Sequence, residues 1–127
     1  MRWDEGMMGD QSGKLAVVTG SNTGIGYYMA RALASKGASV IMACRDSAKG
    51  EAARERILEE FPDSEVSVSV LDLADLSSVE DFASNFSSEG GLDILINNAG
   101  VMIPPKSRTK DGFELQFGTN HLGHFAL

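Results

Sequence analysis

The chain has 127 residues, which suits one domain and is long enough to bury a single hydrophobic core. Apolar residues make up 43% and charged residues 23% of it, a globular composition that excludes wholesale disorder. The net charge of −7 argues against non-specific nucleic-acid binding, which needs a basic surface, but allows an anionic ligand held by backbone N–H groups.

The cellular setting is predicted from cysteine content and from the N-terminus. The single cysteine, Cys44, cannot form an intramolecular disulfide, which fits a reducing compartment. No stretch approaches the roughly 18 to 20 apolar residues of a membrane helix. Residues 1–12 are acidic and lack an apolar segment, so we interpret them as a loosely held terminal arm and not as a signal peptide. We expect a soluble, cytoplasmic protein with no membrane partner.

The first half of the chain predicts two strands and two helices. Leu15–Thr19 is a continuous apolar run, typical of a strand buried on both faces. Residues 25–36 follow with apolar side chains at helical spacing, and Gly37 stands where a helix end favours the left-handed conformation. Residues 39–43 predict a second strand, and Ser47–Glu60 a charged, exposed helix.

The second half predicts two more strands and two more helices. Residues 65–71 alternate valine with serine, as a strand with one wetter face would. The capping box at 77–80 (Ser-Ser-Val-Glu) predicts a helix to about Phe86, which Gly90-Gly91 breaks before a fourth strand at 92–96. A second capping-box candidate at 111–114 (Asp-Gly-Phe-Glu) opens a helix that is still running at Leu127.

This alternation of strands and helices predicts an α/β fold, a doubly wound parallel sheet of the Rossmann type. We place one domain at residues 13–127, after the arm at 1–12. A complete doubly wound sheet normally has six or more strands. Four strands and a last helix without a termination signal therefore predict a domain that is incomplete at its C-terminus.

A glycine-rich turn at residues 19–26 (Thr-Gly-Ser-Asn-Thr-Gly-Ile-Gly) separates the first strand from the first helix. In that context glycines let the backbone approach a pyrophosphate, and the helix start offers free N–H donors with a partial positive charge. We expect that a side chain at Gly20 or Gly24 would occupy the space of the phosphates. A purely structural turn and an S-adenosylmethionine site remain alternatives on the glycines alone, whereas the absence of Gly-Lys-Ser/Thr excludes a P-loop.

The end of the second strand carries Cys44-Arg45-Asp46, where dinucleotide folds select between cofactors. If Cys44 occupies the usual acidic position, Arg45 can pair with a 2′-phosphate. If the register is shifted, Asp46 becomes the ribose ligand, or it simply caps the next helix. The alternative for Arg45 is a solvated surface charge. We favour NADP as the cofactor, with NAD possible.

Three motifs together resemble the classical short-chain dehydrogenases/reductases over residues 13–127. They are Thr-Gly-X3-Gly-X-Gly from Thr19, Asp72 after the third strand, and Asn97-Asn98-Ala99-Gly100 after the fourth. Within the family, Ala43-Cys44-Arg45 and the phrase at 111–125 are similar to the branch of retinol dehydrogenases, WW-domain oxidoreductases and protochlorophyllide reductases, and to soluble bacterial oxidoreductases. The soluble type fits better, because the membrane-anchored retinol enzymes usually carry an apolar N-terminal segment. Nucleotide-sugar epimerases of the extended family usually have a different glycine spacing.

The resemblance implies a strand order 3-2-1-4 and a cofactor site. Gly20, Gly24, Ile25 and Gly26 would line the pyrophosphate, Asp72 and Leu73 would face the adenine, and Asn98, Ala99 and Gly100 would pass beside the riboses. The full predicted cofactor-binding set is Gly20, Asn22, Thr23, Gly24, Ile25, Gly26, Arg45, Asp72, Leu73, Asn98, Ala99 and Gly100. Asn97, Asn98 and Thr19 would also help to hold the strand ends together, and a loop carboxylate capping a turn is the alternative for Asp72.

The resemblance also implies the chemistry, which is hydride transfer between a nicotinamide and a carbonyl or alcohol carbon of a small-molecule substrate. Asn120 matches the helix asparagine of the catalytic tetrad, which holds a water through the helix backbone; otherwise it would be an ordinary polar helix residue. We interpret His121 and His124 as packing or surface residues and expect no metal, because they have no carboxylate or cysteine partner at suitable spacing.

The remaining catalytic residues are not found in these 127 residues. Tyr27 and Tyr28 are the only tyrosines, and neither begins the family's Tyr-X3-Lys. The catalytic serine is expected beyond Leu127. We therefore expect the N-terminal, cofactor-binding part of an oxidoreductase, inactive by itself, marginal in stability because the fourth strand is an exposed edge, and a homo-oligomer when complete. The alternative is a short non-catalytic protein that binds a nucleotide or a paralogue.

Overall fold

The described residues of a computed structural model, 1–86 and 90–127, form a four-stranded parallel sheet in the order β3-β2-β1-β4. The strands are β1 (Leu15–Thr19), β2 (Ser39–Cys44), β3 (Val66–Val70) and β4 (Ile94–Ile96). The helices are α1 (Gly24–Ser35), α2 (Ser47–Glu60), α3 (Leu76–Ser84) and a C-terminal helical segment, α4. Segment α4 consists of Leu115–Phe117, a π-helical turn at Gly118–Gly123, and His124–Ala126.

The predicted doubly wound α/β fold and its strand order 3-2-1-4 are confirmed. Strand β1 lies in the interior of the sheet, where Ala16 pairs with Val40 of β2 and with Ile94 of β4. Its residues Ala16, Val17 and Val18 are fully buried, as the continuous apolar run predicts for a strand covered on both faces. Gly37 follows α1 with a φ of 93°, the left-handed conformation expected at that helix end.

The hydrophobic core consists of two clusters, one on each face of the sheet. Helices α1 and α2 cover the first, which contains Ala16, Val18, Tyr27, Ala30, Leu33, Val40, Met42, Ala53 and Ile57. Helix α3 covers the second, which contains Val17, Ala43, Leu71, Leu73, Val79 and Phe82. Helix α2 approaches the sheet closely at Gly50, where a Cβ atom would lie 2.8 Å from Cγ1 of Val68.

Neither capping box forms as predicted, although helices follow both segments, because other residues take the N-cap positions. Helix α3 begins at Leu76, and its N-cap is Asp75, which accepts from the Ser77 amide at 3.0 Å. Segment α4 is capped by Glu114, which accepts from the amides of Gln116 and Phe117. Asp111 does not open its own helix; its Oδ2 accepts from the Leu76 amide at 2.8 Å and so caps α3 from the loop before α4.

The N-terminal arm is held more firmly than its composition suggests. Arg31 of α1 pairs with Glu5 of the arm at 3.2 Å and with Glu60 at the end of α2. The Gln11 amide donates to the Lys36 carbonyl at 2.8 Å, and Met8 packs against the first core cluster. Within residues 1–86 and 90–127, no helix has both the length and the apolar character needed to cross a membrane.

Candidate cofactor site

The turn between β1 and α1 is fixed by hydrogen bonds to the neighbouring strands. The Gly20 amide donates to the Ala43 carbonyl at 2.9 Å, and the fully buried Ser21 hydroxyl donates to the Val18 carbonyl at 3.0 Å. Gly20 and Gly24 have φ values of 62° and 58°, a left-handed conformation that glycine adopts without steric cost. The turn is therefore rigid, and its shape requires glycine at both positions.

The three glycines of the turn face different surroundings. A Cβ atom at Gly20 would lie 2.7 Å from Cα of Ala99, and one at Gly26 would lie 2.4 Å from Nδ2 of Asn98. These two glycines therefore make room for the loop that follows β4, and a side chain at Gly20 would first collide with Ala99. Among these three glycines of the turn, Gly24 is the one whose Cβ position has no heavy atom within 4 Å.

The start of α1 is electrostatically suited to an anion. Thr23 is its N-cap, and its side chain makes no capping hydrogen bond. The first turn of the helix contains no acidic residue. The partial positive charge and the free N–H groups of this twelve-residue helix are therefore available to an anionic group beside the turn.

Thr19 joins the ends of β1 and β4. Its hydroxyl, fully buried, accepts from the amides of Asn98 and Ala99 at 3.0 and 2.9 Å. The Asn98 side chain adds a second link between the strand ends, because its Nδ2 donates to the carbonyls of Thr19 and Gly20 at 3.1 and 3.2 Å. Thr19 and Asn98 therefore hold the two strand ends together, the structural role expected for them.

A cavity of about 490 Å³ opens where the carboxyl ends of the strands meet, the usual ligand position in an open α/β sheet. The predicted residues on its wall are Gly20, Asn22, Thr23, Arg45, Asp72, Leu73, Asn98, Ala99 and Gly100. Gly24, Ile25 and Gly26 lie in the first turn of α1, outside the cavity wall, and Ile25 is exposed.

The segment after β2 separates the roles of Arg45 and Asp46. Asp46 is the N-cap of α2, and its Oδ1 accepts from the Lys49 amide at 3.1 Å. Of the two roles considered for Asp46, ribose ligand and helix cap, the hydrogen bonds show the helix cap. Arg45 is exposed and lies on the cavity wall, whereas Cys44 is buried with its Sγ 3.7 Å from the Ser21 hydroxyl.

Asp72 uses one carboxylate oxygen to shape its own loop. Its Oδ1 accepts from the Ala74 amide at 2.9 Å, and its amide donates to the Ser78 hydroxyl at 2.9 Å. This is the turn-capping alternative considered for Asp72. The second oxygen, Oδ2, has no hydrogen-bond partner among residues 1–86 and 90–127, so the same side chain can also accept from a ligand in the cavity.

Asn120 lies in the π-helical turn and outside the cavity wall. Its side chain forms two hydrogen bonds with the backbone of Val101: it accepts from the amide at 2.8 Å and donates to the carbonyl at 2.7 Å. Its own carbonyl oxygen lies 2.9 Å from Nδ1 of His124. The side chain of Asn120 therefore fixes the loop after β4.

His124 is more than a packing or surface residue. Its Nε2 lies 2.9 Å from the Thr19 hydroxyl, so the ring connects the carbonyl of Asn120 to the end of β1. The interpretation of His121 is correct, because this exposed ring stacks between Phe117 and Phe125, with centroid distances of 5.2 and 6.3 Å.

Seven residues of the cavity wall lie outside the predicted cofactor-binding set, namely Thr19, Ala43, Leu71, Ala74, Val101, Leu115 and Thr119. Leu115 and Thr119 are four positions apart on α4 and thus share one face of it. That spacing would have indicated both residues once the helix of Asn120 was placed against the cavity. The hydroxyl of Thr119 is buried and has no hydrogen-bond partner in the described ranges.

The residues present fit an adenine dinucleotide. Gly24 leaves open space beside a helix start that lacks acidic residues, and Arg45 supplies a cation. Asp72 has a spare acceptor oxygen and lies on the same cavity wall. The site therefore offers a place for an anion at one side and a free carboxylate oxygen at the other.

Comparison with known proteins places this site in a family. The sequence profile described as short chain dehydrogenase matches residues 14–127. The chain belongs to the short-chain dehydrogenase family.

Among the relatives, retinol dehydrogenase 12 from Mus musculus is 55% identical over 116 residues, which are 91% of this chain and 37% of that protein. Polyprenol dehydrogenase from Danio rerio is 47% identical over 119 residues, which are 93% and 37% of the two chains. The chain thus spans little more than a third of the length of these relatives.

Solved structures show the same fold. An uncharacterized protein from Mycobacterium paratuberculosis is 50% identical with a TM-score of 0.87, and the match covers 98% of this chain and 44% of that one. A metagenomic short-chain oxidoreductase in complex with NADP is 38% identical with a TM-score of 0.65, over 71% and 40% of the two chains.

Proposed function

We propose that these residues form the NADP-binding part of an oxidoreductase that transfers a hydride between the cofactor and a carbonyl or alcohol substrate. The observation that carries the proposal is the position of Arg45 on the wall of a cavity beside the glycine turn and the start of α1. The NADP-bound relative and the retinol dehydrogenases support the proposal by family membership.

The residues of the chain have separate tasks in this function. The start of α1 and the open space at Gly24 would receive the pyrophosphate, and Arg45 would pair with the 2′-phosphate. Asp72 Oδ2 would accept from the adenine amino group, while Thr19 and Asn98 keep the turn and the loop after β4 in register. Bound NADP would supply the hydride acceptor or donor.

Titration of the chain with NADP and NAD tests the cofactor proposal. We expect wild type to prefer NADP, and Arg45→Ala to lose about tenfold in NADP affinity while NAD affinity changes by less than about twofold, because a charge-assisted hydrogen bond is lost only with NADP. Lys14→Ala removes the same charge near the opposite end of the sheet and is expected to have no effect. Equal affinities of wild type for the two cofactors would contradict the preference for NADP.

A second candidate function is nucleotide binding without catalysis, and the tyrosines favour it. Tyr27 is buried in α1 beneath the guanidinium of Arg56, whose Cζ lies 4.4 Å from the ring centroid. Tyr28 packs edge-on against Tyr27 at 5.2 Å between centroids. Neither ring lies on the cavity wall, so neither can act there as a general acid or base.

A further inference from the structure

The imidazole of His124 joins α4 to the end of β1. Its Nδ1 lies 2.9 Å from the Asn120 carbonyl oxygen, and its Nε2 lies 2.9 Å from the Thr19 hydroxyl. In the described part of the chain these are the hydrogen bonds of the ring, and neither partner titrates. The ring is half-buried, so protons from solvent can reach it. A change of charge at this contact therefore takes place on the ring alone.

The Thr19 hydroxyl has a single hydrogen to donate. Its oxygen accepts from the amides of Asn98 and Ala99 at 3.0 and 2.9 Å, which occupies both lone pairs. The hydroxyl hydrogen therefore needs an acceptor. The Ile96 carbonyl oxygen lies at 3.5 Å, the outer limit of a hydrogen bond. Nε2 of a neutral His124 ring that donates through Nδ1 is an acceptor at 2.9 Å.

Protonation of the ring reverses this contact. Both nitrogens of an imidazolium are donors, so Nε2 would compete with the two loop amides for an oxygen that has no lone pair left. One of the three donors then loses its acceptor, and the loop is held less firmly. This cofactor loop, residues 98–100, is part of the cavity wall. It also packs on the glycine turn, because a Cβ atom at Gly20 would lie 2.7 Å from Cα of Ala99.

We propose that His124 is a positioning residue for the cofactor loop: the neutral ring holds the loop through Thr19, and protonation of the ring loosens the loop and weakens dinucleotide binding. The inference rests on the proposed function, because it requires that a dinucleotide binds in this cavity. Histidine is the side chain that ordinarily changes its charge between pH 5 and pH 8. Cofactor affinity therefore falls as the solution becomes mildly acidic.

Other charged groups surround the ring and set the design of the test. Strands β1 and β4 and the cofactor loop have no charged residue. The charged or titratable groups on the remaining elements around the ring are Glu80 and Asp81 of α3, Asp72 and Asp75 of the loop after β3, and His121 of α4 itself. All of them are retained when position 124 is changed. The difference between wild type and a variant at that position therefore reports the imidazole.

The test compares wild type, His124→Gln and His121→Gln in calorimetric titrations with NADP at pH 8 and pH 5.5. A glutamine side chain can accept from Thr19 and does not titrate, so His124→Gln should bind NADP within about twofold of wild type at pH 8. At pH 5.5 we expect wild type to bind about three- to tenfold more weakly than His124→Gln. The 2′-phosphate of NADP gains a proton in the same range, but it does so with every variant.

His121→Gln is the matched control. It removes an exposed histidine of the same helical segment, whose ring stacks on Phe117 and Phe125, and it should follow wild type at both pH values. A second readout needs no ligand: the amide NMR signals of Asn98 and Ala99 should titrate in parallel with the His124 ring in wild type. This titration does not depend on the folding of any variant.

Two results would overturn the inference and leave the proposed function intact. One is that the amide signals of Asn98 and Ala99 stay constant while the His124 ring titrates. The other is that wild type binds NADP at pH 5.5 as tightly as His124→Gln does, or more tightly, as attraction between an imidazolium and the phosphates would produce. Failure of wild type to bind NADP at pH 8 would overturn the proposed function and the cofactor part of the inference, whereas the amide titration would still show whether the ring holds the loop.

Discussion

At the scale of single residues, the Thr19 hydroxyl holds several groups at the end of β1. The backbone amides of Asn98 and Ala99 both donate to its hydroxyl oxygen. Because the Asn120 carbonyl can only accept, Nδ1 of His124 donates to it, and Nε2 lies 2.9 Å from the Thr19 hydroxyl. One hydroxyl therefore completes the hydrogen bonds of two backbone amides and one imidazole.

Replacing Thr19 by valine tests this role. The substitution leaves amides in a partly buried region without an acceptor, and each such group costs about 1–3 kcal/mol. We expect a loss of about 2–4 kcal/mol in the free energy of unfolding, measured by denaturant titration. Thr19→Ser keeps the hydroxyl and should recover most of the loss. A valine variant as stable as wild type would show that the amides find water or another acceptor.

The glycines of the turn allow a second prediction. Gly24→Ala meets open space, so it costs only the left-handed strain of about 1–2 kcal/mol, yet it places a methyl group where a pyrophosphate would lie. Gly20→Ala adds to a similar strain a collision with the Ala99 backbone. We expect the first variant to fold with markedly weaker NADP binding and the second to lose much more stability. Thermal melts and NADP titration separate the two, and normal binding by Gly24→Ala would contradict the placement of the phosphates.

At the scale of elements, the start of α3 depends on residues far apart in the chain. Asp75 caps the helix, and Lys110 of the loop before α4 pairs with it at 3.1 Å. Hydrogen bonds from the Ser77 side chain and then from Lys110 lower the pKa of Asp75 from its ordinary value of 3.8 to about 2. Asp111 completes the junction through the Leu76 amide.

The lowered pKa of Asp75 gives stability a defined dependence on pH. A depressed carboxyl pKa stabilises the folded state above the unfolded pKa of 3.8, and this contribution is lost as the pH falls through about 2. We expect Asp75→Asn to lower the thermal midpoint at pH 7 and to narrow its difference from wild type between pH 4 and pH 2. Asp63→Asn, at an exposed turn position, is the matched control. A constant difference between Asp75→Asn and wild type over that range would refute the assignment.

Local patterns in the sequence predicted the elements better than they predicted how the elements begin. The apolar run of β1 and the alternation of strands with helices were enough for the parallel sheet, because burial on both faces leaves few alternatives. The strand order 3-2-1-4 came from the family resemblance. The capping boxes failed because Asp75, just before the predicted start of α3, and Asp111, 35 positions after Leu76, supply the hydrogen bonds. The pairing of Thr19 with His124 and the isolation of the Thr119 hydroxyl likewise depend on packing that no local pattern encodes.

At the scale of the whole molecule, the candidate cofactor site and the two tyrosines lie in different places. The cavity wall contains residues suited to holding a cofactor, whereas both tyrosines pack in or beside α1. We expect the purified chain to bind NADP but to show no turnover with carbonyl or alcohol substrates, as measured by the absorbance of the reduced nicotinamide. Substrate-dependent oxidation of NADPH by the purified chain would contradict this expectation. If Tyr27→Phe and Tyr28→Phe left that activity unchanged, a group other than these tyrosines would supply the proton.

The bond from Leu76 to Asp111 also makes one backbone amide a reporter of motion. Amides in the first turn of a helix lack intrahelical acceptors, and the Leu76 amide is protected by a carboxylate that arrives from another loop. Its deuterium exchange therefore measures how often that loop separates from α3, without requiring α3 to unfold. If a dinucleotide in the cavity tightens the contact between the two loops, exchange at Leu76 should slow, and Asp111→Asn should make it faster with and without ligand.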